Sequence, residues 1–169
     1  MLLQQAEVLR ATGDTFRAAG DVSRALLFYD AAIDLYLRSN QPVSASVVCE
    51  QVVLLAPNGV RARCTLAWIA VLLARQEIVL RRIAEYAETA EIAGQGDRAC
   101  RQLRCMAEES DEPAVLEVIA DALLHLGDEP SSNRVYARIY DRQRPARVYD
   151  TTADHARVVA ARLTMAIST

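Results

Sequence analysis

The side chains able to do chemistry in this 169-residue chain are few, and their spacing does not assemble a reactive centre. His125 and His155 are the two histidines. Neither lies beside a second His, Cys or carboxylate at a metal-binding spacing such as HExxH or CxxC. The four cysteines are Cys49, Cys64, Cys100 and Cys105. The last two stand at i and i+5, which puts their sulfurs on different faces of one helix, and Cys49 and Cys64 fall at positions of an apolar pattern. All four are expected to act as small buried hydrophobes. A Cys–His nucleophilic pair needs the two groups adjacent in space, and nothing in the spacing points to one. "GQGD" (94–97) lacks the preceding strand, the Lys-Ser/Thr and the further glycines of a phosphate-binding loop, so it is expected to be a turn between helices. Glu108, Glu109, Asp111 and Glu112 lack the alternating oxygen ligands of a calcium loop and are expected to be a solvated helix boundary. The expectation is a protein that is not an enzyme, with no cofactor and no metal.

Binding chemistry is the remaining class. All 19 basic residues are arginine, and the formal net charge is −3. Arg134, Arg138 and Arg142 follow one another at i, i+4, i+8, with Arg144 and Arg147 just beyond. They could take an acidic protein segment, or be the exposed outer face of a terminal hairpin, partly neutralised by Asp141 and Asp150. The negative overall charge and the absence of interleaved aromatics argue against nucleic acid. Trp68, the sole tryptophan, is a core residue or an interaction hot spot. The most apolar run, "CTLAWIAVLLA" (64–74), is short of the roughly 20 residues that span a membrane. "MLLQQAEVLR" has no signal-peptide core. The expected location is cytoplasmic, with reduced thiols.

The elements that position these residues are helical. The chain is 52% apolar and 24% charged, with few glycines and prolines and few β-branched or aromatic runs. Turn signals recur at Gly20-Asp21, "SNQP" (39–42), "APNG" (56–59), Arg75-Gln76, "GQGD", "SDEP" (110–113), "GDEP" (127–130) and "RQRP" to "DTT" (142–152). Asn40, Asp111 and Thr151 are plausible N-caps. Between the signals lie eight or nine segments with a period near 3.6 residues. Leu26, Tyr29, Ala32, Ile33 and Tyr36 share one helix face, as do Leu116, Ile119, Ala120, Leu123 and Leu126. Short loops make neighbours antiparallel, which leaves a closed bundle or an open array. The breaks repeat at about 55 residues, or at about 36 if every second helix is taken.

Residues 9–32 resemble a tetratricopeptide repeat, through Gly13, Phe16, Gly20, Ala25, Tyr29 and Ala32. The small residues let two helices approach, and the aromatics fill the space beside them. Ala45, Cys49, Val52 and Pro57 match the second helix of another such repeat. Leu116, Ala120, Leu123, Gly127, Tyr136 and Ile139 match a third, with Ser132 in place of alanine. Residues 60–93 keep only an apolar skeleton, and 41–57 falls where strict alternation calls for a first helix. The resemblance implies an all-α, antiparallel helical-hairpin array: one domain over 1–169, with 151–167 as a C-terminal capping helix. It also implies a concave surface lined by the first helix of each pair. That surface would carry Arg10, Asp14 and Arg17 at one end, Thr65, Ile69 and Leu72 in the middle, and Glu117, Asp121 and His125 at the other. Arg10, Asp14 and Arg17 read equally as a solvated helix face. The implied function is a scaffold or adaptor holding a peptide or helix of a partner protein. A self-associating, homo-oligomeric or ligand-sensing helical module is the alternative.

Overall fold

The structure is a computed structural model that describes residues 1–73 and 76–143. The chain divides into a compact unit, Met1–Ile139, and a second, Tyr140–Thr169, of which only the last residues of a helix are described. The capping helix expected at 151–167 lies outside the described residues, as do Thr151 and His155. Eight helices are described: α1 (Leu2–Ala18), α2 (Val22–Arg38), α3 (Pro42–Leu55), α4 (Val60–Leu72), α5 (Gln76–Ile92), α6 (Gly96–Glu109), α7 (Pro113–His125) and α8 (Glu129–Gln143).

Four of the helices end by the same local device. Gly20, Asn40, Gly94 and Gly127 have positive φ at the ends of α1, α2, α5 and α7. Each donates its N–H to the carbonyl three residues back, and the next residue donates to the carbonyl five back, as in Asp21 to Phe16 (2.9 Å) and Asp128 to Leu123 (2.8 Å). This left-handed closure satisfies carbonyls that the helix end would leave unpaired. Asn40 therefore terminates α2, and the N-cap of α3 is Gln41. The expected cap at Asp111 is displaced too, since Glu112 holds that position at α7. Asp21 is a cap that the sequence reading passed over: its carboxylate accepts the Arg24 N–H at 3.1 Å. Asp128 repeats it one residue after Gly127, accepting the Ser131 N–H at 3.2 Å.

The helices form two layers. Odd-numbered helices are joined to one another by Glu50–Arg82 between α3 and α5 and by Glu91–His125 (2.8 Å) between α5 and α7. Even-numbered helices are joined by Arg61 to Asp34 (2.7 Å) between α2 and α4, and by Trp68 Nε1–H to Gln102 (2.9 Å) between α4 and α6. The same layer continues through Arg138, which donates from α8 to the Ala107 carbonyl of α6 at 2.8 Å. Substantial contacts among the described residues join helices one or two apart in sequence, as in α4 with α6 and α5 with α7. The chain therefore builds forward as an array. It also corrects the register inferred for 41–57: α3 belongs to the layer of α5 and α7, so it is the first helix of its pair.

Two apolar clusters run through the array. One gathers Ala6, Ala25, Tyr29, Ile33, Tyr36, Val48 and Cys49, and the other Ile83, Tyr86, Leu103, Met106, Leu116, Ile119 and Leu123. Helix α4 feeds both, giving Leu66 and Ile69 to the first and Ala67, Ala70 and Val71 to the second. Full burial of side chains of this size stabilises by about 1.5–3 kcal/mol each.

Candidate functional site

The odd layer carries one groove with the make-up of a recognition site. On α5, Ala84, Glu88, Glu91 and Ile92 recur at helical spacing along one face. On α7, Val118, Asp121, Ala122 and His125 do the same. The two faces oppose each other and enclose a groove of about 610 Å³, with Ala87 also in its wall. Its floor is apolar and open, because alanine supplies three of its side chains. Its rim is acidic: Glu88, Glu91 and Asp121 line it, and no arginine does. His125 holds Glu91 at 2.8 Å across the mouth. Asp121 accepts the hydroxyl of Tyr136 from α8. This end of the groove lies in the last turns of α5 and α7, where the helix dipoles present their negative ends. Arg81 stands one turn before Ala84, exposed, 3.7 Å from Glu85.

The other residues expected at the inner face are distributed differently. Arg10, Asp14 and Arg17 do lie together on α1, but away from this groove. Asp14 accepts the hydroxyl of buried Tyr29 at 2.7 Å and pairs with Arg17 at 3.5 Å. Burial, reinforced by the adjacent Asp14 carboxylate, pushes the Tyr29 phenol up to about 12. The pair recurs in the last hairpin, where Asp121 and Tyr136 are again fifteen residues apart. Both aspartates thus contribute to the fold as well as to the surface. Ile69 and Leu72 belong to α4 in the even layer: Ile69 is buried at 4% exposure, and Leu72 is exposed. Ile69 therefore offers no surface to a groove, because α4 is packed between the two clusters. Thr65 is half-buried on the same helix.

Glu88, Glu91, Ile92, Ala84 and Val118 are the site residues that sequence reasoning missed. A signal for some of them exists: the interval from Gly20 to Gly94 also separates Asp14 from Glu88 and Arg17 from Glu91. Aligning the two helix-ending glycines places both glutamates on the inner face. Beside them, α3 presents Val43, Val47 and Leu54 to solvent along one stripe, interrupted by Glu50.

The remaining candidates are absorbed by the architecture. Arg138 closes the end of α6 through the carbonyls of Ala107 and Ser110, and Arg134 donates to the Ser131 hydroxyl at 2.9 Å. Arg142's side chain lies outside the described residues. Trp68 is half-buried and packs against the second cluster while its indole N–H is held by Gln102. Cys49 and Cys100 are buried, Cys64 is half-buried, and Cys105 is exposed, contrary to the expectation of burial for all four. Burial pushes the Cys49 thiol up to about 12, and it raises Cys64 and Cys100 as well, so these sulfurs stay protonated at neutral pH. Among the described residues no three His, Cys, Asp or Glu side chains cluster to hold a metal, and no helix is long and apolar enough to cross a membrane.

Consecutive antiparallel hairpins in two layers make the described residues an all-α, tetratricopeptide-like helical array, with Gly13 packed closely on Tyr29 in the first hairpin. No protein-family model matches the chain, and no curated protein does. Solved structures to which it is similar include MamA MSR-1, at 13% identity and a TM-score of 0.32, covering 80% of this chain and 95% of that one. Another is YrrB, described as a TPR protein with an unusual peptide-binding site, at 13% identity and a TM-score of 0.29, covering 88% of this chain and 90% of that one.

Proposed function

We propose that this protein is a non-catalytic interaction scaffold that holds a peptide or helix of a partner protein in the groove between α5 and α7. The observation that carries the reading is the groove's composition: an apolar floor of Ala84, Ala87, Val118 and Ala122 beneath a rim of carboxylates. Apolar anchors can be desolvated on such a floor while polar groups at the rim fix orientation. The layered hairpins support it, because they satisfy the backbone and core internally and leave side chains of the odd layer free to face a partner. Four free cysteines fit a reducing, cytoplasmic setting. Panning a random twelve-residue peptide library against the protein tests this reading, with Ala84→Trp as the groove-filling variant. Ala84 is exposed, so the larger side chain occupies the groove without entering the core. Selected peptides are expected to lose at least about tenfold in affinity for a variant that keeps wild-type helicity. Equal binding to both forms would move the site elsewhere.

A further inference from the structure

We infer that the segment taken by the α5–α7 groove is cationic, with arginine or lysine flanking a narrow apolar stripe; this rests on the peptide-binding reading above. Glu88 and Glu91 lie on one wall and Asp121 on the other, and Glu117 is exposed on α7 just outside the lining. A carboxylate has about four acceptor sites on its two oxygens. Asp121 gives one to Tyr136 and Glu91 gives one to His125, while Glu88 is exposed, so each can still accept from an incoming donor. The aligned C-terminal ends of α5 and α7 add to the negative potential at that end of the groove. A guanidinium or ammonium placed there gains charge-assisted hydrogen bonds that a neutral side chain cannot make. A glutamate there would meet like charge on both walls. Arg81 sits at the opposite, N-terminal end and is turned to Glu85, so it does not cancel the cluster.

The floor sets the rest of the pattern. Ala84, Ala87 and Ala122 are too small to fill the groove themselves, so a visiting chain can bring its own leucine or alanine side chains close to the helix backbones. Carboxylates on both walls then call for basic residues on both sides of that stripe. A basic amphipathic helix or short strand of peptide meets the requirement. The inner face of α1 does not select in this way, because Arg10 and Arg17 interleave with Asp14.

Three labelled fourteen-residue peptides with one shared Leu/Ala stripe and flanking Arg, Gln or Glu test the assignment by fluorescence anisotropy. The arginine peptide is expected to bind at least about tenfold tighter than the glutamine peptide, to weaken as salt is raised, and the glutamate peptide not to bind. Glu88→Lys/Glu117→Lys, which brings the four carboxylates to no net charge, is expected to flatten the preference, and Glu88→Gln/Glu117→Gln, which halves their charge, to weaken it if the lysines impair folding. Equal binding of the arginine and glutamine peptides to wild type would overturn the cationic class and leave the groove as a peptide site. Failure of all three to bind would overturn both readings.

Discussion

At Gly13, helix α1 accepts a residue that costs about 1 kcal/mol of helix propensity relative to alanine. The reason is Tyr29 of α2, whose ring would lie 2.7 Å from a Cβ built at that position. The ring is fully buried and its hydroxyl is fixed by Asp14, so it has little room to withdraw. Gly13→Ala is therefore expected to destabilise the protein by about 1 kcal/mol net, the overpacking cost exceeding the gain in propensity. A thermal melt would show this as a fall of roughly 2–4 °C. A rise instead would mean that the ring moves aside and that close approach at Gly13 is not what fixes the first hairpin. This contact was legible through the resemblance to a tetratricopeptide repeat, which implies close approach at Gly13 and Ala25 with Tyr29 filling the space beside them. The role of Asp14 was only half legible. Helical spacing puts it on an exposed face, while its bond to Tyr29 depends on the neighbouring helix.

At the scale of the element, the turn that joins α7 to α8 is a repeat of the one joining α1 to α2. Gly127 closes the first helix, and Asp128 caps the second and reaches Arg104 of α6 at 2.8 Å. Burial alone would raise the Asp128 carboxyl, but its hydrogen bonds to Ser131 and the Arg104 charge more than offset this and lower it. A carboxylate lowered in the folded state contributes stability above its ordinary value and loses it as pH falls through the lowered one. Asp128→Ala is thus expected to cost about 1–2 kcal/mol at neutral pH. The gap between variant and wild type should narrow as pH falls below the ordinary aspartate value of about 4 and through the lowered one. Denaturant titrations of both proteins at the two pH values check this, and a gap independent of pH would contradict the cap and ion pair. The helix boundaries were readable from Gly-Asp and Pro signals because those residues act locally. The exposed face of α4 was not readable. "VRARCTLAWIAVL" is apolar on most sides because the helix feeds both clusters, so its periodicity carries no mark of which side is open. That is how Ile69 was expected at the surface. Helix α3 misleads differently: Ala45, Cys49, Val52 and Pro57 match the second helix of a repeat, while the helix presents Val43, Val47 and Leu54 to solvent.

For the whole molecule, the proposed function rests on which layer a helix joins. The even layer spends its polar groups on the array itself, through Arg61 with Asp34, Trp68 with Gln102 and Arg138 with the end of α6. The odd layer keeps carboxylates at the surface between α5 and α7, above side chains small enough to admit a visitor. Asp121 and His125 were found from sequence because the last hairpin repeats the first in register. Glu88 and Glu91 were not, because the α5–α6 hairpin keeps the helix-ending Gly94 but loses the aromatic that identifies the pattern, Leu103 standing where Tyr29 stands in the first. The central claim is that the α5–α7 surface receives a peptide. Amide hydrogen exchange on the protein with and without the arginine-flanked peptide tests it most directly. Added protection is expected in residues 84–92 and 117–125, with α2, α4 and α6 unchanged. Protection confined to the even layer, or the same exchange with and without peptide at saturating concentration, would contradict the account.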